Sequence, residues 1–273
     1  MNSFVCLGDW IRQSGLPRLE AHILLRHIGG FSHVQLITQS DFRLPENLLM
    51  CLNQAKERRI LGEPMAYILG EREFYGRVFR VSPAVLIPRP ETEHLVEAAI
   101  KKLPKNGLIW DLGTGSGAIA VTLACERTDA AVWASDISEA ALQVAADNAA
   151  QMNARVRFIQ GDWFDVAPKP QSVDVLVSNP PYIEVNDAHL RQGDLRFEPQ
   201  GALTDFANGL SAIERIAKDA PLYLKKGGWL LLEHGFNQGE DVRAILNRYG
   251  FIHIETERDL AGLERVSLGQ LGE

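Results

Sequence analysis

Two hydrophobic periods divide this chain. Through residues 1–72 apolar positions recur at helical spacing, first Leu19, Ile23 with Leu24, and Ile28, then Leu48 with Leu49, Leu52 and Ala55. Gly29-Gly30 and Pro45 interrupt the pattern, which predicts four or five short helices, the longest from Glu46 to Leu61. A bundle of this size buries little surface and is expected to lean on its neighbour. From Glu73 to Val81 the period changes to alternation around Gly76-Arg77, which reads as a β-hairpin linker over 73–88. Pro88-Arg89-Pro90-Glu91-Thr92-Glu93 then precedes Leu95, Val96, Ala99 and Ile100; proline and acidic residues belong at a helix start.

Beyond residue 107 strand-like and helix-like segments alternate. Leu108-Ile109-Trp110, Ala131 to Ser135, Val156 to Ile159 and Val173 to Ser178 read as strands, with helices over 116–126 and 138–151. A helix near 208–224 leads into the strand Gly228 to Glu233. A further helix at 238–248 and strands near 251–256 and 264–269 complete the tail. Such alternation over 89–273 predicts an α/β domain, a mostly parallel sheet with helices on both faces.

Composition narrows the classes. Hydrophobic residues make up 46% of the chain, enough for a substantial core. Cys6, Cys51 and Cys125 are scattered and form no Cys-x-x-Cys pair, a pattern that fits neither a disulfide framework nor a zinc site. Met1-Asn2-Ser3-Phe4 lacks a basic region followed by a long apolar run, and no later segment is apolar enough to span a bilayer. A soluble, cytoplasmic protein with no membrane partner is expected. The net charge is -7, with +1 in residues 1–72 and the acidic excess beyond them, so no direct nucleic-acid partner is expected. Lys56-Glu57-Arg58-Arg59 reads as a solvated helix face.

Candidate chemistry gathers at strand ends. Asn179-Pro180-Pro181-Tyr182 follows the buried strand Val173 to Ser178, at the carboxyl edge where open α/β sheets place ligands. Pro180 and Pro181 carry no N–H, so the turn offers carbonyl acceptors with few competing donors. Asn179 adds an amide and Tyr182 an aromatic face, a loop suited to holding a planar NH2 group. Taken alone, the tetrapeptide is also an ordinary proline-stopped strand.

Asp111-Leu112-Gly113-Thr114-Gly115-Ser116-Gly117 turns the first strand of the alternation into a helix, and its glycines let backbone approach a ligand closely. Gly113, Gly115 and Ala118 also satisfy a Gly-x-Gly-x-x-Ala pattern, so a dinucleotide-binding oxidoreductase is a rival. Asp111 opens the turn with a negative charge, which suits a cationic ligand better than a pyrophosphate. Asp136 ends the next strand, where a carboxylate can accept both hydroxyls of a ribose; Ser138 is free to cap the following helix. Asp162 and Trp163 follow the third strand and can bracket an adenine ring, although a loop tryptophan also serves as core. Together these residues outline methyl transfer from S-adenosylmethionine to a nitrogen.

With these motifs assembled, the chain resembles the HemK/PrmC family of protein-(glutamine N5) methyltransferases over nearly its full length. The resemblance rests on Pro88 to Glu93, Asp111 to Gly117, Ser178-Asn179-Pro180-Pro181-Tyr182-Ile183, Arg196-Phe197-Glu198-Pro199 and Leu232-Glu233-His234-Gly235. It implies a class I S-adenosylmethionine-dependent methyltransferase fold, a Rossmann-like seven-stranded sheet, with a small all-helical amino-terminal domain. That bundle is expected to dock the protein substrate, because a lone glutamine side chain offers little binding area. The implied acceptor is the glutamine of the Gly-Gly-Gln loop in class I peptide chain release factors. Cofactor contacts are implied at Gly113, Thr114, Gly115, Ser116, Gly117, Asp136, Trp163 and Asn179, and acceptor contacts at Asn179, Pro180, Pro181 and Tyr182. Asn179, Pro180 and Tyr182 would carry the chemistry. The tetrapeptide is shared with adenine-specific DNA methyltransferases, which remain an alternative, as does a non-catalytic scaffold. Arg196, Glu198 and Pro199 are expected either to order the loop through an Arg–carboxylate pair, the favoured reading, or to shape the acceptor entrance. Arg89 and Glu91 are candidates for the cofactor's amino-acid end, and His234 is expected to be structural.

Overall fold

The computed structural model describes residues 5–165 and 168–272; Met1 to Phe4, read above for leader patterns, lie outside them. The chain forms two compact units, divided between Gly70 and Glu71. The first contains α1 (Leu7–Gln13), α2 (Arg18–Gly29), α3 (His33–Thr38), α4 (Glu46–Ile60) and α5 (Met65–Leu69). Pro17, Pro45 and Pro64 stand immediately before α2, α4 and α5, where a missing N–H costs no helical bond. Leu7, Leu24, Leu25 and Leu52 are fully buried at the centre of this unit. Both arginines of the basic strip on α4 have acidic partners. Arg59 makes two bonds to Glu20 of α2, at 2.9 and 3.0 Å, and Arg58 makes two to Glu63, at 2.5 and 2.7 Å.

The second unit opens with a hairpin of β1 (Glu71–Phe74) and β2 (Arg77–Arg80). Phe74 pairs with Arg77, so the turn residues are Tyr75 and Gly76, one position earlier than the sequence suggested. Both have positive φ, 52° and 68°, as a two-residue turn matched to strand twist requires. The unit continues through α6 (Glu93–Lys102), β3 (Leu108–Leu112), α7 (Ala118–Glu126), β4 (Ala131–Asp136), α8 (Glu139–Gln151), β5 (Val156–Gln160) and β6 (Val173–Ser178). Then come α9 (Gln200–Leu203), α10 (Ser211–Asp219), β7 (Leu224–Glu233), α11 (Gly239–Arg248), β8 (Phe251–Arg258) and β9 (Glu264–Leu271).

The bounds of one helix and one strand shift most from the expected ones, for local reasons. Pro221 and a tight turn over Ala220–Leu222 close α10 early, and Asn208-Gly209 belong to the preceding loop. The strand β7 begins four residues earlier than expected, since exposed Lys225 and Lys226 mask its start.

Seven strands form one sheet in the order β5-β4-β3-β6-β7-β9-β8. All neighbours are parallel except β9, which runs antiparallel to both β7 and β8. Alternate strand residues serve opposite faces, as the period of two demands. Ile109, Val132, Val175, Val177 and Leu231 meet α6, α7 and α8 on one face. Trp110, Leu112, Leu176, Leu230 and Leu232 meet α10 and α11 on the other.

Candidate active site

Sheet order decides what meets at the carboxyl edge. From β3 the chain winds outward through β4 to β5, then returns to place β6 on the opposite side of β3. Ligands of open α/β sheets bind at such a reversal point. Leu112 is in register with both Ser135 and Ser178. The loops beginning at Gly113, Asp136 and Asn179 therefore leave three adjacent strands at one level. They surround a cavity of about 580 Å³, in the range of small-molecule sites.

Of the sequence-predicted residues, Gly113, Gly115, Asp136, Trp163, Asn179 and Pro181 line this cavity. Thr114, Ser116, Gly117, Pro180 and Tyr182 are not among its lining residues. Thr114 and Ser116 are buried beneath the turn, where the Thr114 hydroxyl donates to Asp111 Oδ2 at 2.6 Å. Gly117 has φ +80°, and a Cβ there would come within 3.0 Å of Ala145 Cβ. Its role is to let α7 start close against α8.

Asp136 is held where a polar ligand can reach it. Its Oδ2 accepts from the Gly115 N–H at 2.8 Å and its Oδ1 from the Ser138 N–H at 2.9 Å. Ser138 caps α8, accepting from Ala141 N–H, so Asp136 keeps further lone pairs for the cavity. Trp163 sits in the left-handed region at φ 50°, uncommon for a bulky side chain. Its ring lies 3.4 Å from where a Gly113 Cβ would stand. A Cβ-free turn, a strand-end carboxylate and an indole face suit a ligand with a diol and a flat heterocycle. Asp162 lines the same cavity but is paired with Arg215 at 2.7 Å.

Asp111 does not line the cavity. It is fully buried, and its Oδ1 has no hydrogen-bond partner among the described residues. Burial pushes its carboxyl up to about 7; the Thr114 bond opposes that shift and the Asp136 charge adds to it. The folded chain therefore holds a proton there that the unfolded chain releases near 4, and this stabilisation is lost as pH rises toward 7. Asp111→Asn is expected to flatten the fall of stability across that window by about 1.4 kcal/mol per pH unit, the slope of one proton. Denaturant unfolding at several pH values checks this; an unchanged slope would count against it.

The Asn179 loop is oriented from outside its own segment. Asn179 Nδ2 donates to Thr92 Oγ1 at 3.3 Å, across 87 positions of sequence. This leaves Oδ1 as the free end of the amide. No hydrogen bond reaches the Pro180 carbonyl among the described residues. Tyr182 is packed into the core with its hydroxyl 3.4 Å from Glu233 Oε1, and both groups titrate higher than usual because burial disfavours their charged forms. Gln238 ties the loop's far end, donating to the carbonyls of Tyr182 at 3.0 Å and Gly209 at 3.3 Å.

Asn148 and Gln238 are supporting residues that the sequence reading did not single out. Asn148 of α8 is fully buried and donates to the carbonyls of Ser116 and Arg80, clamping the glycine turn to the hairpin. The Arg–carboxylate pair expected around Glu198 is made by Arg89 rather than Arg196, whose guanidinium stacks on Phe197. Arg89 is thus committed to Glu198, and Glu198 Oε2 also accepts from the Ile87 N–H at 3.0 Å. His234 is buried between the Gly235 carbonyl and Ser267 Oγ, a structural setting whose desolvation lowers its pKa.

Comparison with known proteins converges on one family. Residues 11–70 match the PrmC N-terminal domain, and residues 91–195 match the Methyltransferase small domain. A release factor glutamine methyltransferase of Neisseria gonorrhoeae is 56% identical over 263 residues, covering 96% of each chain. One from Bordetella pertussis is 49% identical over 267 residues, 97% of this chain and 99% of its own. A solved methyltransferase from Pyrococcus furiosus shares the fold, with a TM-score of 0.57 at 17% identity over 81% of this chain and 99% of that one. The chain belongs to the release factor glutamine methyltransferase family.

Proposed function

We propose that this protein transfers a methyl group from S-adenosylmethionine to the side-chain amide nitrogen of the Gly-Gly-Gln glutamine in class I peptide chain release factors, in the cytoplasm. The names of its relatives support the substrate. The observation that carries the chemistry is the Asn179 amide on the cavity wall, pinned at Nδ2 by Thr92, with no bond to its Oδ1 or to the Pro180 carbonyl among the described residues. When bound, S-adenosylmethionine supplies an electrophilic methyl on a sulfonium centre. Asp136 would hold its ribose hydroxyls, Trp163 its adenine ring, and the Gly113–Gly115 backbone would admit it closely.

A carboxamide nitrogen is a poor nucleophile, because its lone pair is delocalised into the carbonyl. Asn179 Oδ1 and the Pro180 carbonyl would accept its two N–H groups and fix its plane at the cavity. Holding reactants in attack geometry can lower a barrier by ~7–11 kcal/mol. The same two acceptors gain strength as the nitrogen becomes positive, which stabilises the transition state selectively. An N-alkylated, N-protonated amide is acidic enough to lose its proton to water, so the scheme requires no dedicated base. Pro181, on the cavity wall, would flank the acceptor, with Tyr182 packed behind it. The helical unit ahead of Glu71 offers a folded substrate the docking area that one side chain lacks.

Tandem mass spectrometry of release factor incubated with the protein and S-adenosylmethionine is expected to show one added methyl, on the Gly-Gly-Gln glutamine. Removal of the helical unit is expected to raise KM for release factor. Methylation of oligonucleotides in place of release factor would overturn the reading.

A further inference from the structure

Of the non-glycine residues with left-handed φ among those described, only Trp163, at 50°, and Phe206, at 59°, line the cavity. Bulky side chains are outliers in this region, and one that stays there does so under strain. Trp163 has a packing reason for its place, because its ring lies against the core on the α10 and α11 face of the sheet. Phe206 has none. It is 64% exposed and joins no hydrophobic cluster of the described residues.

The backbone that carries the Phe206 ring is held from both sides. Thr204 is buried, forms a short parallel bridge with Ile183, and accepts the Phe206 N–H at its Oγ1, at 3.1 Å. Asp205 Oδ1 accepts from the N–H groups of Ala207 and Gly209, at 2.9 and 3.0 Å, and its Oδ2 from the Ser211 N–H at 2.8 Å. The Ala207 carbonyl accepts from the Val185 N–H at 3.1 Å. Gly209 lies so close to the Tyr182 carbonyl oxygen that a Cβ would come within 2.4 Å of it. An exposed aromatic side chain is thus fixed on strained backbone at a cavity wall, where its own fold gains nothing from it.

The position of this loop fits one part of the ligand. The helix α10 follows it, and Ser211, Ala212 and Arg215 of that helix line the cavity. Arg215 is paired with Asp162, the neighbour of Trp163, so the segment borders the end of the cavity to which the adenine is assigned. Trp163, seated on the core, gives a flat heterocycle a floor, and the exposed Phe206 stands at the rim.

We propose that Phe206 is a cofactor-binding residue whose ring covers the adenosyl group of S-adenosylmethionine from the cavity rim. Stacking on a heterocycle buries aromatic surface that the free protein leaves in water, and the strained backbone serves that contact. The proposal rests on the cofactor assigned to this site and not on the identity of the methyl acceptor.

The test is calorimetry on the full-length protein without release factor. The ligands are S-adenosylhomocysteine and methylthioadenosine, which keeps the nucleoside and lacks the amino-acid end. Phe206→Gly is expected to weaken both by about 10-fold, within the range that one aromatic stacked on a base carries. It is also expected to raise the melting temperature of the ligand-free protein, since glycine adopts this φ without strain. Phe206→Asn, which tolerates the same backbone without the freedom of glycine, should behave alike. Phe206→Tyr keeps the ring and should hold both affinities within about two-fold. Unchanged affinities in the glycine and asparagine variants overturn the proposal, as does a loss confined to S-adenosylhomocysteine. A lowered melting temperature beside the loss would make Phe206 a residue of the fold, and a raised KM for release factor with cofactor affinity intact would make it an acceptor contact; either result overturns the proposal. A wild type that binds neither ligand defeats the cofactor assignment and the proposal with it, whereas wild-type binding with indifferent variants defeats the proposal alone.

Discussion

Asn179→Ala is expected to lower kcat for release factor by about 10²–10³-fold, the usual cost of deleting one aimed polar group from a transition-state site. The variant loses Oδ1 of a residue on the cavity wall and leaves the glycine turn, Asp136 and Trp163 in place. Binding of S-adenosylmethionine should change little, because the loop backbone is held independently. Ile183 N–H donates to the Leu203 carbonyl at 3.0 Å, and Gln238 anchors the Tyr182 carbonyl. The loss should therefore fall on kcat rather than on cofactor affinity. Single-turnover kinetics with calorimetry separates the two. A kcat within a few-fold of wild type would remove Asn179 from the chemistry, and a matching loss of cofactor affinity would make it a binding residue only.

Glu198→Ala is expected to destabilise the second unit by about 3 kcal/mol and to weaken cofactor binding with it. The Glu198 side chain has no exposure, and its removal strands the Arg89 guanidinium and the Ile87 N–H together. Breaking a buried ion pair in this way costs roughly 3–5 kcal/mol. Arg89 retains 30% exposure and can recover some hydration, which places the expectation at the lower end. The effect on ligand follows from position. Ala84 to Leu86, and Pro199 with Gly201 and Ala202, line the cavity, and Glu198 ties the segments that carry them. Chemical denaturation and a calorimetric titration check both parts. A loss below ~1 kcal/mol with unchanged affinity, the range of an exposed pair, would show the contact to be incidental.

Much of the fold was legible because its elements obey local rules. Apolar, β-branched runs such as Val173 to Ser178 became strands, and the helical period that begins at Glu46 became α4. Errors arose where a local signal was weak or carried two meanings. Tyr75 adopts positive φ although nothing in its type favours it, so the turn shifted by one residue. Gly113, Gly115 and Gly117 look alike in sequence, yet the third serves packing against Ala145 while the first two face the cavity. Asp111 read as a charge for a cationic ligand and proved to be a buried brace under the turn.

The sequence by itself determined which segments become strands and helices, and that Gly113, Asp136 and Asn179 follow strand ends, because side-chain period and turn chemistry act over a few residues. The tertiary structure alone decided which ends stand side by side and what orients them. Thr92 reaches Asn179, Glu198 reaches Ile87 and Asn148 reaches Ser116 only because the strand order folds distant segments onto one edge. Such partners carry no periodic signal. Each is selected by the burial of a polar group that must find a bond wherever the sheet has placed it.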